Sequence, residues 1–333
     1  MTHKIMSIDA IHGLAKSTLE SFGADSTNAG AVADTITMAE RDGCVSHGLF
    51  RLPGYVATLK SGKVDGKARP TVKPLAPAVI QVDGHNCFAP HALQVGRPSL
   101  IEATKTCGIA VMPMVGVHHF AALWPDLEEI CESGLAAFSC VNYKPSVIPA
   151  GGKKALYGTN PIAFGWPRPG KNPMIFDMAT SVMARGEVGV AARDGHSTPE
   201  GVGVDAEGNP TTDPNEILKG ALLAFGGYKG SSISMMVELL AGAMIGESFS
   251  FEAAERDIAD GGPPQGGQFV FAINPSLVRG NDSWPEHAES FFNKIYEQDG
   301  TRLPGDRRYQ SRAKHDMQGV EVSPIILDKI AAL

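Results

Sequence analysis

The chain has 333 residues, 43% hydrophobic and 20% charged, with a net charge of −7 at neutral pH. This suits a soluble globular protein of one large or two ordinary domains. The acidic balance, with no basic run interleaved with aromatics, speaks against a nucleic-acid partner.

The longest apolar run near a helix, Ile233 to Ile245, contains Glu238 and is too short to span a bilayer, so no membrane partner is expected. No charged region followed by an apolar stretch opens the sequence, so no secretory signal is expected. Five cysteines (Cys44, Cys87, Cys107, Cys131, Cys140) form no C-x-x-C pair. That suits reduced thiols in a cytoplasmic protein and no metal site.

Residues 7–22 read as an amphipathic helix, with Ser7 as N-cap, Ile8, Ile11, Leu14, Leu19 and Phe22 on one face, and Gly23 as the stop. Residues 27–41 repeat the pattern with Ser26 as cap and Ala29, Val32, Ala33 and Ile36 inward. The chain thus opens with a helical pair. Strand-like runs follow at Val79–Asp83, Ile109–Val115, Leu135–Val141, Pro173–Met178 and Gln268–Ile273. A helix ending near Lys105, which Pro98 must kink or delay, and another near Leu123–Ser133 separate the first three runs. That β-α-β spacing predicts some parallel pairing. Residues 151–214 are dense in Gly and Pro and read as loops and hairpins. A buried helix is expected over 231–245. Another is expected over 286–298, with Ala288, Phe291, Phe292 and Ile295 inward, and a last one begins at Ser323-Pro324. Three stretches result: a helical segment 1–75, a sheet-containing cofactor and substrate domain 76–300, and a C-terminal turn and helix 301–333 returning to the N-terminal part.

The stretch from Arg41 to Tyr55 carries the most chemistry. Ser46 and His47 can form a proton-transfer unit, and Arg51 offers a planar fork for a carboxylate. The plain alternative is a polar connection, with His47 as a cap and Arg51 in a surface ion pair. His118-His119-Phe120-Ala121-Ala122-Leu123-Trp124 follows a strand and leads into a helix, a favoured ligand position. Lys229 stands at the positive end of a helix, which favours a nearby anion. Gly305-Asp306-Arg307-Arg308 is a glycine turn with two arginines, suited to a phosphate such as the 2′-phosphate of NADP. Asp177 and Ser181 end a strand, and Glu187 further on could orient His47. Gly201-Val-Gly203-Val-Asp-Ala206 fits G-x-G-x-x-A, but a turn rather than a helix follows, so it is no dinucleotide fingerprint.

Together S-H-G-x-x-R-x-P-x-Y, the His-Phe pair, Y-G-T-N-P-I-A-F-G, F-D-M-A-T-S, K-G-S and L-P-G-D-R-R resemble the type 2 malate/L-lactate dehydrogenase family over nearly the whole chain. H-H-F-A-A-L-W-P-D and S-M-M-V-E-L-L-A resemble its Δ1-piperideine-2-carboxylate and Δ1-pyrroline-2-carboxylate reductase branch. The resemblance implies a non-Rossmann α/β fold of intermixed domains around a largely antiparallel mixed sheet, in a homodimer. It implies Ser46, His47 and Glu187 as the catalytic relay, with Glu187 where the branch carries aspartate. Arg51, Tyr55, Thr159 and Lys229 would hold substrate. His119, Phe120, Ala121, Ala122, Leu123, Asp177, Ser181, Gly305, Asp306, Arg307 and Arg308 would contact the cofactor. The expected reaction is NADPH-dependent reduction of a small cyclic imino acid, with NADH weaker. A 2-hydroxy acid dehydrogenase on the same scaffold and a catalytically dead binding protein are the rivals.

Overall fold

The computed structural model describes residues 4–333. Ser7 caps the first helix, Ile8–Ser21, by accepting from Ala10 N at 3.1 Å, and Gly23 ends it at φ +101°. Asp25, not Ser26, caps the second helix, Ser26–Arg41. Its backbone is extended and its carboxylate accepts from Asn28 N at 3.0 Å, so Ser26 becomes the first helical residue. Ile11, Leu19, Ala29, Val32, Ala33 and Ile36 are fully buried between this pair and the helix Leu52–Lys60. The strand Val320–Val322 returns to pair with Lys4–Met6, and Ile330 of the helix Pro324–Ala331 joins the same core.

The main sheet has seven strands. In spatial order they are Thr71–Ala76, Val79–Phe88, Ile109–His118, Gln265–Ile273, Ala136–Val141, Ile162–Trp166 and Met174–Met178. Only Val79–Phe88 and Ile109–His118 pair in parallel, across the helix Ala89–Cys107. The second β-α-β expectation is half met. Gln265–Ile273 inserts antiparallel between Ile109–His118 and Ala136–Val141, so those two strands run the same way without touching. The fold is a mixed, largely antiparallel α/β arrangement without a Rossmann turn. Asp205 closes a tight turn onto Asn209 N at 2.8 Å in the rejected glycine segment, and no helix opens there.

Four sequence expectations need correction. Pro98 neither starts nor ends its helix but sits inside it, on the exposed face, where the carbonyl it leaves unbonded can reach water. Residues 151–214 hold a strand, Ile162–Trp166, and a helix, Arg185–Asp194, which is hard to see because Gly186 and Gly189 interrupt it and only Val188 is buried. The helix expected over 231–245 begins at Tyr228 and passes at Leu239–Ala243 into a π turn. Only one face is buried: Ser234, Val237 and Ala241 pack inward, while Met235, Met236 and Leu239 face outward. Phe291 also points outward, while Phe292 packs inward.

Candidate active site

After the second helix the chain makes two short 3₁₀ turns, Val45–His47 and Leu49–Arg51, before the helix Leu52–Lys60. A buried carboxylate holds this bend: Glu40 Oε1 accepts from Leu49 N at 2.7 Å. A Cβ at Gly48 would overlap that carboxylate, so only glycine lets the bend close. Burial pushes the Glu40 carboxyl up to about 7, against its single hydrogen bond to Leu49.

On this bend Ser46 Oγ lies 3.1 Å from His47 Nδ1, and Arg51 Nε donates to the Ser46 carbonyl at 2.8 Å. The Arg51 guanidinium stands 4.4 Å from the Phe120 ring centroid and has no acidic partner among the described residues. His47 meets the Trp124 ring edge-on at 6.5 Å. Burial, then the Arg51 charge, push the His47 imidazole down to about 3, so it is neutral at physiological pH. The sequence-predicted trio of Ser46, His47 and Arg51 is therefore one cluster.

The segment from His119 to Trp124 forms the facing wall. The Asp177 carboxylate accepts from Leu123 N at 2.7 Å and Trp124 N at 3.1 Å, capping the start of the helix Trp124–Glu132. Burial pushes Asp177 up to about 6 despite those two bonds and the nearby Arg308. Asp177 thus fixes the backbone of this segment at Leu123 and Trp124. Ala121, Ala122 and Leu123 are buried, while Phe120 faces Arg51. Trp124 Nε1 donates to Asp42 at 2.9 Å. Arg312 Nε donates to Asp42 at 2.8 Å, and its Nη1 to Glu128 at 2.7 Å. This bridge ties the helix Asp306–Gln318 to Asp42, to which Trp124 also donates, and to Glu128 of the helix Trp124–Glu132. At that helix's start Gly305 has φ +99°, and Asp306 accepts from Leu303 N at 2.8 Å, fixing its own turn. Arg308 lies 5.1 Å over Trp124 and donates to the Ile175 carbonyl, whereas Arg307 is exposed and forms no ion pair among the described residues. A glycine turn with exposed Arg307 next to Arg308, which lies over the ring that meets His47, fits an anionic nucleotide.

The remaining expected residues are placed differently. Glu187 is not brought to His47. It is exposed, and its carboxylate caps its own helix through Ala184 N at 3.2 Å. Tyr55 is buried with its ring edge-on to Phe88 and Phe120, so it supports Phe120 from behind. Thr159 offers its carbonyl to Thr180 N at 2.8 Å and Thr180 Oγ1 at 3.0 Å. Ser181 donates to the Met183 carbonyl at 2.7 Å. Lys229 is exposed at a helix start, with no contact joining it to the Ser46–Arg51 cluster among the described residues.

Sequence reading missed Asp126. It is buried 3.7 Å from His119 Nε2 and accepts from Gln268 Nε2 at 2.6 Å, which also donates to Ser139 Oγ at 2.9 Å. An acidic residue in a first helical turn ordinarily reads as a complement to the helix dipole, and its histidine partner precedes the helix.

An arginine without an acidic partner among the described residues beside a neutral histidine, with a two-arginine turn packed on the adjoining Trp124, suits an oxidoreductase that acts on a carboxylate substrate. The sequence profile described as malate/L-lactate dehydrogenase matches residues 6–331, and the chain belongs to that family. It is 45% identical over 330 residues to a Δ1-pyrroline-2-carboxylate reductase of Ancylobacter novellus, covering 98% of this chain and 97% of that one. It is 43% identical to a Δ1-pyrroline-2-carboxylate/Δ1-piperideine-2-carboxylate reductase of Pseudomonas aeruginosa, covering 98% of each. The solved structure of Δ1-piperideine-2-carboxylate reductase from Pseudomonas syringae pv. tomato superposes with a TM-score of 0.94 at 42% identity, over 99% of both chains.

Proposed function

We propose that this chain reduces the C=N bond of a cyclic ketimine carboxylate, Δ1-piperideine-2-carboxylate, Δ1-pyrroline-2-carboxylate or both, giving L-pipecolate or L-proline. The observation that carries this reading is the Arg51 guanidinium, unpaired with any acid among the described residues, above Phe120 and beside neutral His47. A planar fork of donors suits a planar carboxylate, and the ring beneath it suits an apolar heterocycle. Relatives bearing the two reductase names support the substrate class.

Arg51 anchors the carboxylate and so fixes which face of the imine carbon is presented; such positioning can supply much of the rate. The nicotinamide, when bound, supplies the hydride. His47 stands by the substrate nitrogen with Ser46 fixing its ring. A carboxylate on Arg51 offsets one of the three causes that hold His47 neutral, after burial and beside His119, so substrate binding favours proton uptake at the imidazole. Trp124 walls this region.

NADPH is the proposed cofactor, favoured over NADH, because Arg307 is free to meet a 2′-phosphate. A cytoplasmic homodimer completes the proposal, with exposed Met235, Met236 and Leu239 available for the subunit contact. No helix among the described residues is long and apolar enough to cross a membrane. The test is oxidation of NADPH by the purified protein with each cyclic imine, against pyruvate and oxaloacetate. Turnover with the imines supports the reading; turnover with the 2-oxo acids alone overturns it.

A further inference from the structure

The acid that closes the catalytic bend is buried without a counter-charge. Glu40 lies near the end of the helix Ser26–Arg41 at 4% exposure. Its one side-chain hydrogen bond among the described residues is the one it accepts from Leu49 N at 2.7 Å. That bond falls between the two 3₁₀ turns, with Ser46 and His47 on one side of it and Arg51 on the other. The approach is close: a Cβ at Gly48 would stand 2.1 Å from the same Oε1. The bend is therefore seated directly on the carboxyl group.

No charge among the described residues is left to pair with Glu40. Beside it in the chain, Arg41 is held by Asp316 at 2.6 Å and Asp42 by Arg312 at 2.8 Å. From the helix Asp306–Gln318, His315 is spent on the Arg41 carbonyl at 2.8 Å. His12 of the helix Ile8–Ser21 lies on Asp34 at 3.0 Å. Burial pushes His91 of the helix Ala89–Cys107 down and the Cys44 thiol up to about 11, so both are neutral at pH 7. On the bend itself His47 is neutral, and Arg51 bonds the Ser46 carbonyl. A buried carboxylate without a cation is costly. The seated bend thus favours the protonated acid, and an unseated, solvated one favours the anion.

We propose that Glu40 is a positioning residue for imine reduction: its proton holds the bend closed, and its ionisation loosens the bend and with it the Arg51 grip on the substrate carboxylate. The proposal rests on the cyclic-imine reading for what Arg51 holds. Closure is most secure near pH 4.5 and weakens as pH rises to about 7, above which the seated acid is ionised too and no more is lost. At tenfold per pH unit over that span, the loss is limited to roughly 300-fold. Bound substrate holds the bend closed, so the cost falls on KM more than on kcat.

The experiment is amide hydrogen exchange of the full chain from pH 5 to 8, corrected for intrinsic rates, for wild type and Glu40→Gln. It is resolved at Leu49 and, for comparison, at Val270 in the centre of the main sheet. Glutamine keeps an acceptor for Leu49 N but does not titrate. Leu49 should exchange faster than Val270 at every pH, which marks a local opening. Its protection should fall by about tenfold or more across the range in wild type, and by less than that in the variant. Exchange of Leu49 only together with Val270, a smaller fall in wild type, or the same fall in Glu40→Gln overturns the proposal. At pH 8 the variant's KM for the imine should be about threefold or more below that of wild type, with kcat changed less than KM; an equal KM, or a change in kcat alone, overturns it. Should Glu40→Gln not fold, the wild-type fall at Leu49 against Val270 decides. A chain that shows this exchange behaviour but reduces no cyclic imine overturns the proposed function and leaves the coupling of Glu40 to the bend standing.

Discussion

Replacing Arg51 with lysine separates charge from shape. The guanidinium makes three contacts that an ammonium cannot reproduce together: the bond to the Ser46 carbonyl at 2.8 Å, the stack on Phe120 at 4.4 Å, and the two-pronged grip offered to a carboxylate. Lysine keeps a point charge, so only part of each is lost. Partial loss of the stack contributes about 0.5–1 kcal/mol, and loss of one charge-assisted bond about 1.5–3 kcal/mol. The transition state should therefore lose about 2–4 kcal/mol, a roughly 30- to 1,000-fold drop in kcat/KM at tenfold per 1.36 kcal/mol. Arg51 has no acidic partner among the described residues, so no buried carboxylate is orphaned and the melting temperature should stay within about 3 °C of wild type. Stopped-flow following of nicotinamide absorbance gives the kinetics, and circular dichroism gives the melt. A folded Arg51→Lys enzyme with wild-type kcat/KM would remove Arg51 from the site.

Three further outcomes follow from the same geometry. His47→Asn should slow imine reduction by about 10²–10⁴-fold while the substrate's own pH dependence remains; an unaltered rate at every pH would make His47 a positioning residue. Arg307→Ala should raise KM for NADPH far more than KM for NADH without lowering the melting temperature, whereas Arg308→Ala should also lower it, since Arg308 holds Ile175 and covers Trp124. Equal KM changes for the two cofactors would show that this turn does not read the 2′-phosphate. Glu40 gives a stability slope. Its folded pKa of about 7 lies above the ordinary 4.5, so the folded state keeps a proton the unfolded chain releases, and stability falls as pH rises from 4.5 to 7. The fall is on the order of 3 kcal/mol, most of which Glu40→Gln should abolish; melts from pH 4.5 to 8 that keep the wild-type slope in the variant would contradict this.

The parts of the site legible in the sequence are those that are local. Ser46, His47 and Arg51 lie within six residues, and the two 3₁₀ turns bring them together without distant help. The first helix and its Ser7 cap are legible for the same reason, since cap and apolar period are both short-range signals. The sheet order is not. Gln265–Ile273 enters between strands formed more than 120 residues earlier, and no local pattern in Ile109–His118 or Ala136–Val141 specifies that guest. Glu187 was the natural carboxylate to seek for His47, yet the capping position three residues after Ala184 claims it. Asp126 and the Asp42–Arg312–Glu128 bridge were missed because their partners come from distant segments, and a charged residue on a helix reads as solvated until its neighbour is known.

The most direct measurement of the central claim is isotope transfer. The protein is incubated with NADPH carrying deuterium at C4, on each face in turn, together with Δ1-piperideine-2-carboxylate, and the amine product is analysed by mass spectrometry and chiral chromatography. The account predicts L-pipecolate with one deuterium at C2 from one of the two labelled faces. Absence of deuterated pipecolate from either label, with deuterium instead entering lactate or malate from the 2-oxo acids, would contradict it.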